Sequence, residues 1–395
     1  MRLLLKNARI VDYSQDFYGD LYVDDGKISA LGHNLNFDCE TIDCEGKTLM
    51  PSFIDLHCHF RDPGFTYKEE LFTGSEAAAK GGYTFVNLMA NTNPVCSNKK
   101  VLDYVYDKNK AIDIVDIHQT VSITKDFNGK DLSHLKEMDN MVKAISDDGR
   151  GVLDSTTMYL AAVIAKEKDF VVMCHEEDES IVKVNTRLSE NLMTIRDIEI
   201  AKYTGCKVHF CHVSTKEAME YIIDAKEKGY KNITCEVMPH HIALTSNVKY
   251  LVNPPLREEE DISCLKNAIA KGYVDAIATD HAPHTEEDKT KGSPGISCIE
   301  TSFKVSYTNL VKGKVIGLNK LSELMSKRPA EILQIRKGKV SIGYDADLVL
   351  VDLNKKSIIN SKEFKSKGKN TPFDGFEVYG EILTTIKKGK IVYKA

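Results

Sequence analysis

The sequence has little of what would place it on nucleic acid, in a membrane or outside the cell. Acidic residues outnumber basic ones, for a formal net charge of -5, whereas a nucleic-acid binder usually carries a basic excess. No apolar run approaches the roughly 20 residues that span a bilayer. Arg2 and Lys6 flank a short apolar start, Leu3 to Leu5, but no longer apolar region or small-residue cleavage site follows, so no secretory signal is read there. The ten cysteines are scattered without a Cys-X-X-Cys pair. They read as reduced core or strand residues of a cytoplasmic protein, not as a disulfide framework. Cys58, Cys174, Cys211 and Cys235 fall inside apolar strand-like runs and act as small hydrophobes. A glycine-rich phosphate loop is also missing after the first parallel strand, which disfavours a doubly wound open sheet.

What is present is 395 residues, 42% hydrophobic and 28% charged, enough for one large domain or two ordinary ones with a sizeable core. Both ends look all-β. Leu3 to Leu5, Leu21 to Val23 and Lys27 to Leu31 are strand-like, with Asp24-Asp25-Gly26 as a hairpin turn. Ala346 to Val351 reads as a strand, and Ile382 to Ile386 with Ile391 to Tyr393 as a hairpin around Lys388-Gly389-Lys390. Neither end can hold its own core, so the two are expected to pair into one small β-sandwich, from residues 1–50 and 339–395.

Residues 51–338 alternate strand-like runs with helical segments such as Lys216 to Lys228 and Glu258 to Lys271. The runs are Phe53 to Leu56, Thr84 to Leu88, Asp116 to Val121, Val142 to Ile145, Phe170 to Cys174, Lys207 to Cys211, Ile233 to Val237 and Asp275 to Ala278. Eight β/α units in this length predict an α/β fold of the (β/α)8 TIM-barrel type, whose functional residues lie past the C-terminal strand ends. The first run ends in His57 and His59, the second in Asn91, the fourth in Asp147-Asp148, the fifth in His175, the sixth in His212, and the eighth in Asp280, His281 and His284.

His57 and His59 are spaced i, i+2, so on a strand they offer their imidazoles to one point, and Arg61 continues that alternation. A lone His-X-His is as easily a pair of surface histidines. Four histidines (His57, His59, His175, His212) and Asp280 at one barrel edge are instead the ligand set of a hydrolytic zinc site. Five ligands exceed one tetrahedral zinc and suit two metals that share a carboxylate. Asp148 is the candidate bridge, with Asp147 a rival that spacing does not exclude. His33, His118 and His134 read as surface or barrel-wall residues and His209 as a packed one. His240 and His241 compete for the site.

His57-Cys58-His59-Phe60-Arg61-Asp62-Pro63-Gly64 and Ala278-Thr279-Asp280-His281-Ala282-Pro283-His284 resemble the two hallmark motifs of dihydroorotases, within the amidohydrolase superfamily. Met89 to Pro94, Ser146 to Gly149, His212 to Thr215 and Val252 to Arg257 are similar as well, so the resemblance runs the length of the chain. It is to the bacterial type I branch, in which an aspartate after strand four replaces the carboxylated lysine of related enzymes. Lys143 sits several residues early for that lysine. The resemblance implies reversible cyclisation of N-carbamoyl-L-aspartate to L-dihydroorotate in pyrimidine biosynthesis. It implies two zinc ions on His57, His59, Asp148, His175, His212 and Asp280, with Asp280 also the general base. It puts substrate contacts on Arg61, Asn91, Asn253 and His284, with backbone groups near Pro294 and Gly295. Ala90 stands where the family usually has Pro, and Cys58 and Phe60 where it often has Val and Leu; no ligand is lost.

Two other readings remain open. One is a cyclic amidase of allantoinase or hydantoinase type, against which Arg61, Asn91 and Asp148 argue. The other is a non-catalytic, dihydroorotase-like scaffold for aspartate transcarbamoylase, against which the complete ligand set argues. The expected partners are the small-molecule substrate, a second copy in a homodimer and aspartate transcarbamoylase. Glu286 to Gly292, charged and flanked by glycine, is expected to form a loop over the site mouth.

Overall fold

The computed structural model describes residues 2–395. From the N-terminus come β1 (Arg2–Asp12), β2 (Gln15–Asp24), β3 (Lys27–Gly32), β4 (Glu40–Asp43) and β5 (Thr48–Pro51). Eight strands follow: β6 (Phe53–Cys58), β7 (Tyr83–Leu88), β8 (Asp116–Gln119), β9 (Ala144–Ile145), β10 (Val171–Cys174), β11 (Lys207–Phe210), β12 (Ile233–Val237) and β13 (Ala276–Ile277). The chain ends with β14 (Leu348–Ile358), β15 (Glu377–Lys387) and β16 (Lys390–Lys394).

The strands of both termini form one sheet, in the order β16-β15-β14-β5-β1-β2-β3, with β4 also on β1. The sheet folds over on itself. Ile28 N donates to Tyr344 O at 2.9 Å and Ala346 N to Gly26 O at 2.8 Å, so its far edge returns to the entrance of β14. The two layers enclose a core to which both ends contribute, including Leu3, Leu5, Ile10 and Leu21 with Val340, Leu348 and Ile386. Asp25-Gly26 and Lys388-Gly389 all take positive φ, as two-residue hairpin turns matched to strand twist require. The expected sandwich is thus two halves of one folded sheet. The expected strands fall inside β1, β2, β3, β15 and β16, and the expected Ala346 to Val351 enters β14 at Leu348; the four-residue β4 and β5 carry too little alternation to read from sequence.

The middle strands are parallel and close into a ring. β6-β7-β8 and β9-β10-β11-β12-β13 are joined by the parallel bridges Val121 to Ile145 and Cys58 to His281. All eight expected strands are present, the fourth and eighth reduced to two residues each. An apolar cluster within the ring comprises Ile54, Leu56, Phe85, Val171, Met173, Cys211 and Ala276, with Ala330, Ile332 and Leu333. A second, larger cluster packs the strands against the surrounding helices. The helical segments lie at Lys216–Glu227 and Glu259–Lys271, as the periodicity predicts. One unit departs from the pattern: β8 is followed only by short turns at Lys125–Phe127 and Ser133–Glu137. All ten cysteines are free, and among the described residues no helix is long and apolar enough to cross a membrane.

Candidate active site

The donors converge because each lies at or just past the C-terminal end of a barrel strand. His57 lies in β6, His59 one residue past it, Asp148 after β9, His175 after β10, His212 after β11 and Asp280 after β13. Asp148 is central. Its Oδ1 lies 3.2 Å from His57 Nε2, 3.2 Å from His175 Nδ1 and 3.7 Å from His212 Nε2, and its Oδ2 lies 3.5 Å from His59 Nε2. Asp280 Oδ1 stands 3.1 Å from His59 Nε2 and 3.6 Å from His57 Nε2. The rival carboxylate is turned away: Asp147 accepts from Thr124 N at 3.0 Å and from the Thr124 hydroxyl. Lys143 precedes β9 and so sits at the opposite end of the barrel from Asp148.

Behind the donors stand groups that select their tautomers. Glu236, on β12, meets His57 Nδ1 at 3.0 Å through Oε1 and His209 Nε2 at 3.0 Å through Oε2. Burial opposes ionisation of Glu236, but His209 and His57 overcome it and bring the carboxyl to about 2. A carboxylate can only accept, so His57 carries its proton on Nδ1 and keeps the Nε2 lone pair for the site. Asn91 Oδ1 does the same for His59, meeting Nδ1 at 2.8 Å, while Asn91 Nδ2 donates to Asp148 Oδ2 at 3.3 Å. Asn91, expected as a substrate contact, therefore also holds two of the donors. The His212 loop is fastened by Glu190, whose Oε1 accepts from Ser214 N at 2.8 Å and Thr215 N at 3.0 Å. Thr215 in turn caps the next helix by accepting from Ala218 N at 3.2 Å.

The donor set fits metal ions. His57 Nε2 is buried without a hydrogen-bond partner, and His175 Nδ1 faces His212 Nε2 at 3.0 Å. Two imidazole nitrogens aimed at each other at this distance are spaced as ligands of one ion with bonds of about 2.0–2.1 Å. The triads His57, His59, Asp280 and His57, Asp148, His212 each bring their ligand atoms within 4.8 Å of one another. Burial works against charge here, yet His57, His175 and His212 hold the Asp148 carboxyl well below its usual range. Burial would likewise lower His175, but Asp148 and Glu177 push it up to about 10. Buried carboxylates that draw protons onto neighbouring imidazoles are balanced equally well by a divalent cation.

Above the donors opens a cavity of about 240 Å³. Its wall includes His59, Asp148, His175, His212 and Asp280, together with Arg61, Asn91, Asn253, His284, Pro294 and Gly295; His57 lies beneath, fully buried. Arg61 does not arrive by strand alternation. β6 ends at Cys58, and Arg61 takes a left-handed φ of 58° that turns it into the cavity. His212 (φ 37°) and Asp280 (φ 46°) share this conformation, which costs a non-glycine residue about 1–3 kcal/mol and clusters at functional sites. Arg61 Nε is buried without a partner, and Arg61 Nη2 lies 3.4 Å from His284 Nε2. His284 also faces Lys68 Nζ at 3.3 Å. Burial, then Arg61, Lys68 and Lys289, press its imidazole down to about 3, so it stays neutral.

Asn253 reaches the wall with its amide donating to Glu177 Oε2. The backbone at Gly295 is less free than expected: its N–H donates to Leu251 O at 3.1 Å, and its carbonyl accepts from Lys289 Nζ at 3.0 Å. Gly295 has a φ of 140°, and a Cβ there would stand 2.7 Å from Ala282 O and 3.0 Å from His284 Cδ2. Only glycine lets this turn press against His284. The segment expected as a loop over the mouth contains a short helix, Glu286–Thr290, with Thr285 and Asp288 as a capping box. His240 and His241 are buried outside the cavity wall; His241 Nε2 meets Pro254 O at 3.0 Å, and neither His240 nitrogen has a partner. His118 and His134 are both buried, His118 in β8 itself, and His209 belongs to the support behind His57. Glu236 was missed because a single acidic residue in an apolar strand carries no motif.

Residues 48–392 match the Amidohydrolase family. The chain is 56% identical over 398 residues to a dihydroorotase of Clostridium botulinum (strain Eklund 17B / Type B), with all of both chains covered. The chain belongs to the amidohydrolase family, among its dihydroorotases. It is also 39% identical over 425 residues to a dihydroorotase of Lactobacillus acidophilus, covering 100% of this chain and 99% of that one. Among solved structures, a dihydropyrimidinase from Brevibacillus agri NCHU1002 superposes with a TM-score of 0.91 at 24% identity, covering 100% of this chain and 95% of that one. An L-hydantoinase from Arthrobacter aurescens gives 0.89 at 26% identity, covering 99% and 96%. The fold is therefore that of cyclic-amide amidohydrolases.

Proposed function

We propose that the protein interconverts L-dihydroorotate and N-carbamoyl-L-aspartate, the dihydroorotase reaction of pyrimidine biosynthesis, with two zinc ions held by His57, His59, Asp148, His175, His212 and Asp280. The observation that carries this reading is Arg61. A guanidinium with a buried, unpartnered Nε faces the donor cluster across one small cavity. That fork matches a carboxylate. Dihydroorotate carries one on the ring carbon separated by a methylene from its scissile carbonyl, whereas hydantoin and allantoin carry none.

Zinc bound here would polarise the reacting carbonyl and bring the pKa of water near 7. The chain's own groups do the rest. Arg61 holds the substrate carboxylate, with neutral His284 and Asn91 completing the polar wall and Asn253 against the ring. Asp280 takes the proton of the attacking water and delivers it to the ring nitrogen as the amide bond breaks. In the closing direction Asp280 accepts a proton from the attacking ureido nitrogen and returns it as water leaves. The intact donor set favours catalysis over a scaffolding role.

Domain boundaries at 50/51 and 338/339 are supported by the terminal core cluster, whose fully buried members come from residues 3–49 and 340–386. We place the protein in the cytoplasm, in keeping with its free thiols. A homodimer is supported by exposed apolar side chains on two helices that pack together, Tyr159 and Leu160 on one and Leu188, Leu192 and Ile195 on the next. Aspartate transcarbamoylase is the proposed heterologous partner.

The test is turnover by the isolated zinc-loaded chain on L-dihydroorotate, alongside allantoin and hydantoin. Turnover of dihydroorotate alone is expected. Turnover confined to the carboxylate-free rings would overturn the reading, and activity that appears only with the transcarbamoylase would assign the partner a role in ordering the site.

A further inference from the structure

Between β14 and β15 the chain leaves the terminal sheet, over residues 359–376, and runs against the barrel mouth. One side chain of this excursion, Asn370, uses its full hydrogen-bonding capacity there. Its Oδ1 accepts from His284 N at 2.9 Å and Ser297 Oγ at 2.7 Å. Its Nδ2 donates to Gly295 O at 3.1 Å and Ala282 O at 3.4 Å. A carboxamide has two acceptor sites and two N–H donors, and all four are used. The Asn370 carbonyl adds a fifth bond, accepting from Ser297 N at 2.7 Å. Every partner lies in the two segments, 282–284 and 295–297, that present His284 and Gly295 to the cavity.

The excursion is seated independently of Asn370. Ser366 Oγ donates to Glu69 Oε2 at 2.5 Å, and Lys365 N and Ser366 N donate to Glu300 Oε1 at 2.7 and 3.0 Å. Gly368 lets the backbone lie flush: a Cβ there would stand 2.6 Å from Pro283 Cβ and 2.5 Å from Ser297 Oγ. Asn370 is thus carried to the mouth by a segment that is already anchored, and its carboxamide reaches only the part of the wall that carries His284, beside Arg61, and Gly295.

We propose that Asn370 is a positioning residue for substrate recognition, setting His284 and the Pro294–Gly295 turn against Arg61, so that the terminal sheet helps to shape the substrate side of the barrel mouth. This rests on the reading of that cavity as the substrate site. Aspartate could not replace it, because a carboxylate oxygen would face the two carbonyls that now accept from Nδ2.

The test compares full-length, zinc-loaded wild type with N370D and G368A. It measures KM and kcat for L-dihydroorotate, zinc content, Tm, and the His284 imidazole NMR resonances, assigned with a His284→Gln variant. N370D is expected to raise KM by about tenfold to a hundredfold, the scale of ångström misplacement at a site. Zinc content should be unchanged, and the His284 resonances should move. G368A should repeat the pattern more weakly and serves if N370D does not fold. A lower Tm with unchanged KM would mark Asn370 as structural only and overturn the proposal, as would unmoved His284 resonances. If the wild type turns over no dihydroorotate, the functional reading fails, while the resonance shift still reports whether Asn370 positions His284.

Discussion

Glu236 Oε1 meets His57 Nδ1 at 3.0 Å while His57 Nε2, on the other side of the ring, has no hydrogen-bond partner. The pairing fixes which nitrogen faces the donor cluster and ties β12 to β6 through the barrel interior. Removing such a partner behind a metal ligand typically costs 10–100-fold in metal affinity or activity. Glu236→Gln keeps the shape but must turn its NH₂ toward either His57 or His209. We expect zinc affinity, measured by chelator competition, to fall about 10–100-fold. Unchanged affinity would show that packing alone orients His57.

Arg61→Met retains the stem and removes the fork. A hydrogen bond to a charged group contributes about 1.5–3 kcal/mol, or roughly 10- to 150-fold. KM for L-dihydroorotate should rise by that factor with zinc content unchanged. Arg61→Lys should recover only part of the loss, because an ammonium cannot grip a carboxylate at two points. An unaltered KM in Arg61→Met would remove the carboxylate from this wall.

Asp280→Asn preserves volume but cannot carry a proton between water and the ring nitrogen. Turnover should drop by about 10²–10⁴-fold, the usual contribution of a positioned acid–base group, with Tm near that of wild type. Substantial turnover in this variant would move proton transfer to another residue.

The parts of the site legible in sequence are those written contiguously at strand ends. His57, His59 and Asp280 could be read because period-2 geometry and the barrel rule both point at them. Other parts depend on how the chain turns after a strand. Asp147 and Asp148 are adjacent, and only the Thr124 contacts show which one turns outward. Arg61 reaches the cavity through a left-handed backbone, not through strand alternation. Glu236 and Asn370 are single polar residues brought in from distant segments, which no local pattern marks. The helix expected after the third strand is missing, which the strand count alone did not reveal.

His118 gives the fold an acid limb. Its Nδ1 meets Asn87 Oδ1 at 2.6 Å and its Nε2 accepts from Lys143 N at 2.8 Å. Burial, then Lys143, lower its pKa to about 3, while the unfolded chain titrates near 6.5. Between these values the unfolded state holds the extra proton, so stability rises with pH and is lost as pH falls from about 6.5 toward 3. Denaturant unfolding at pH 7 and pH 4.5 should show a smaller acid loss for His118→Gln than for wild type. Equal losses would place the acid sensitivity elsewhere.

Asp148 decides between one metal and two. Its Oδ1 approaches His57 and His175 at 3.2 Å each, while its Oδ2 lies 3.5 Å from His59. Both halves of the donor set therefore lean on one carboxylate, as in sites where two ions share a bridge about 3.5–4 Å apart. Metal analysis of the purified protein should give two zinc ions per chain. Asp148→Ala should retain less than two and lose turnover, since each ion would lack its shared ligand. If one zinc per chain supports full activity, Asp148 does not bridge. His175 and His212 would then be polar wall residues, and the proton load on His175 would be carried by Asp148 and Glu177 alone.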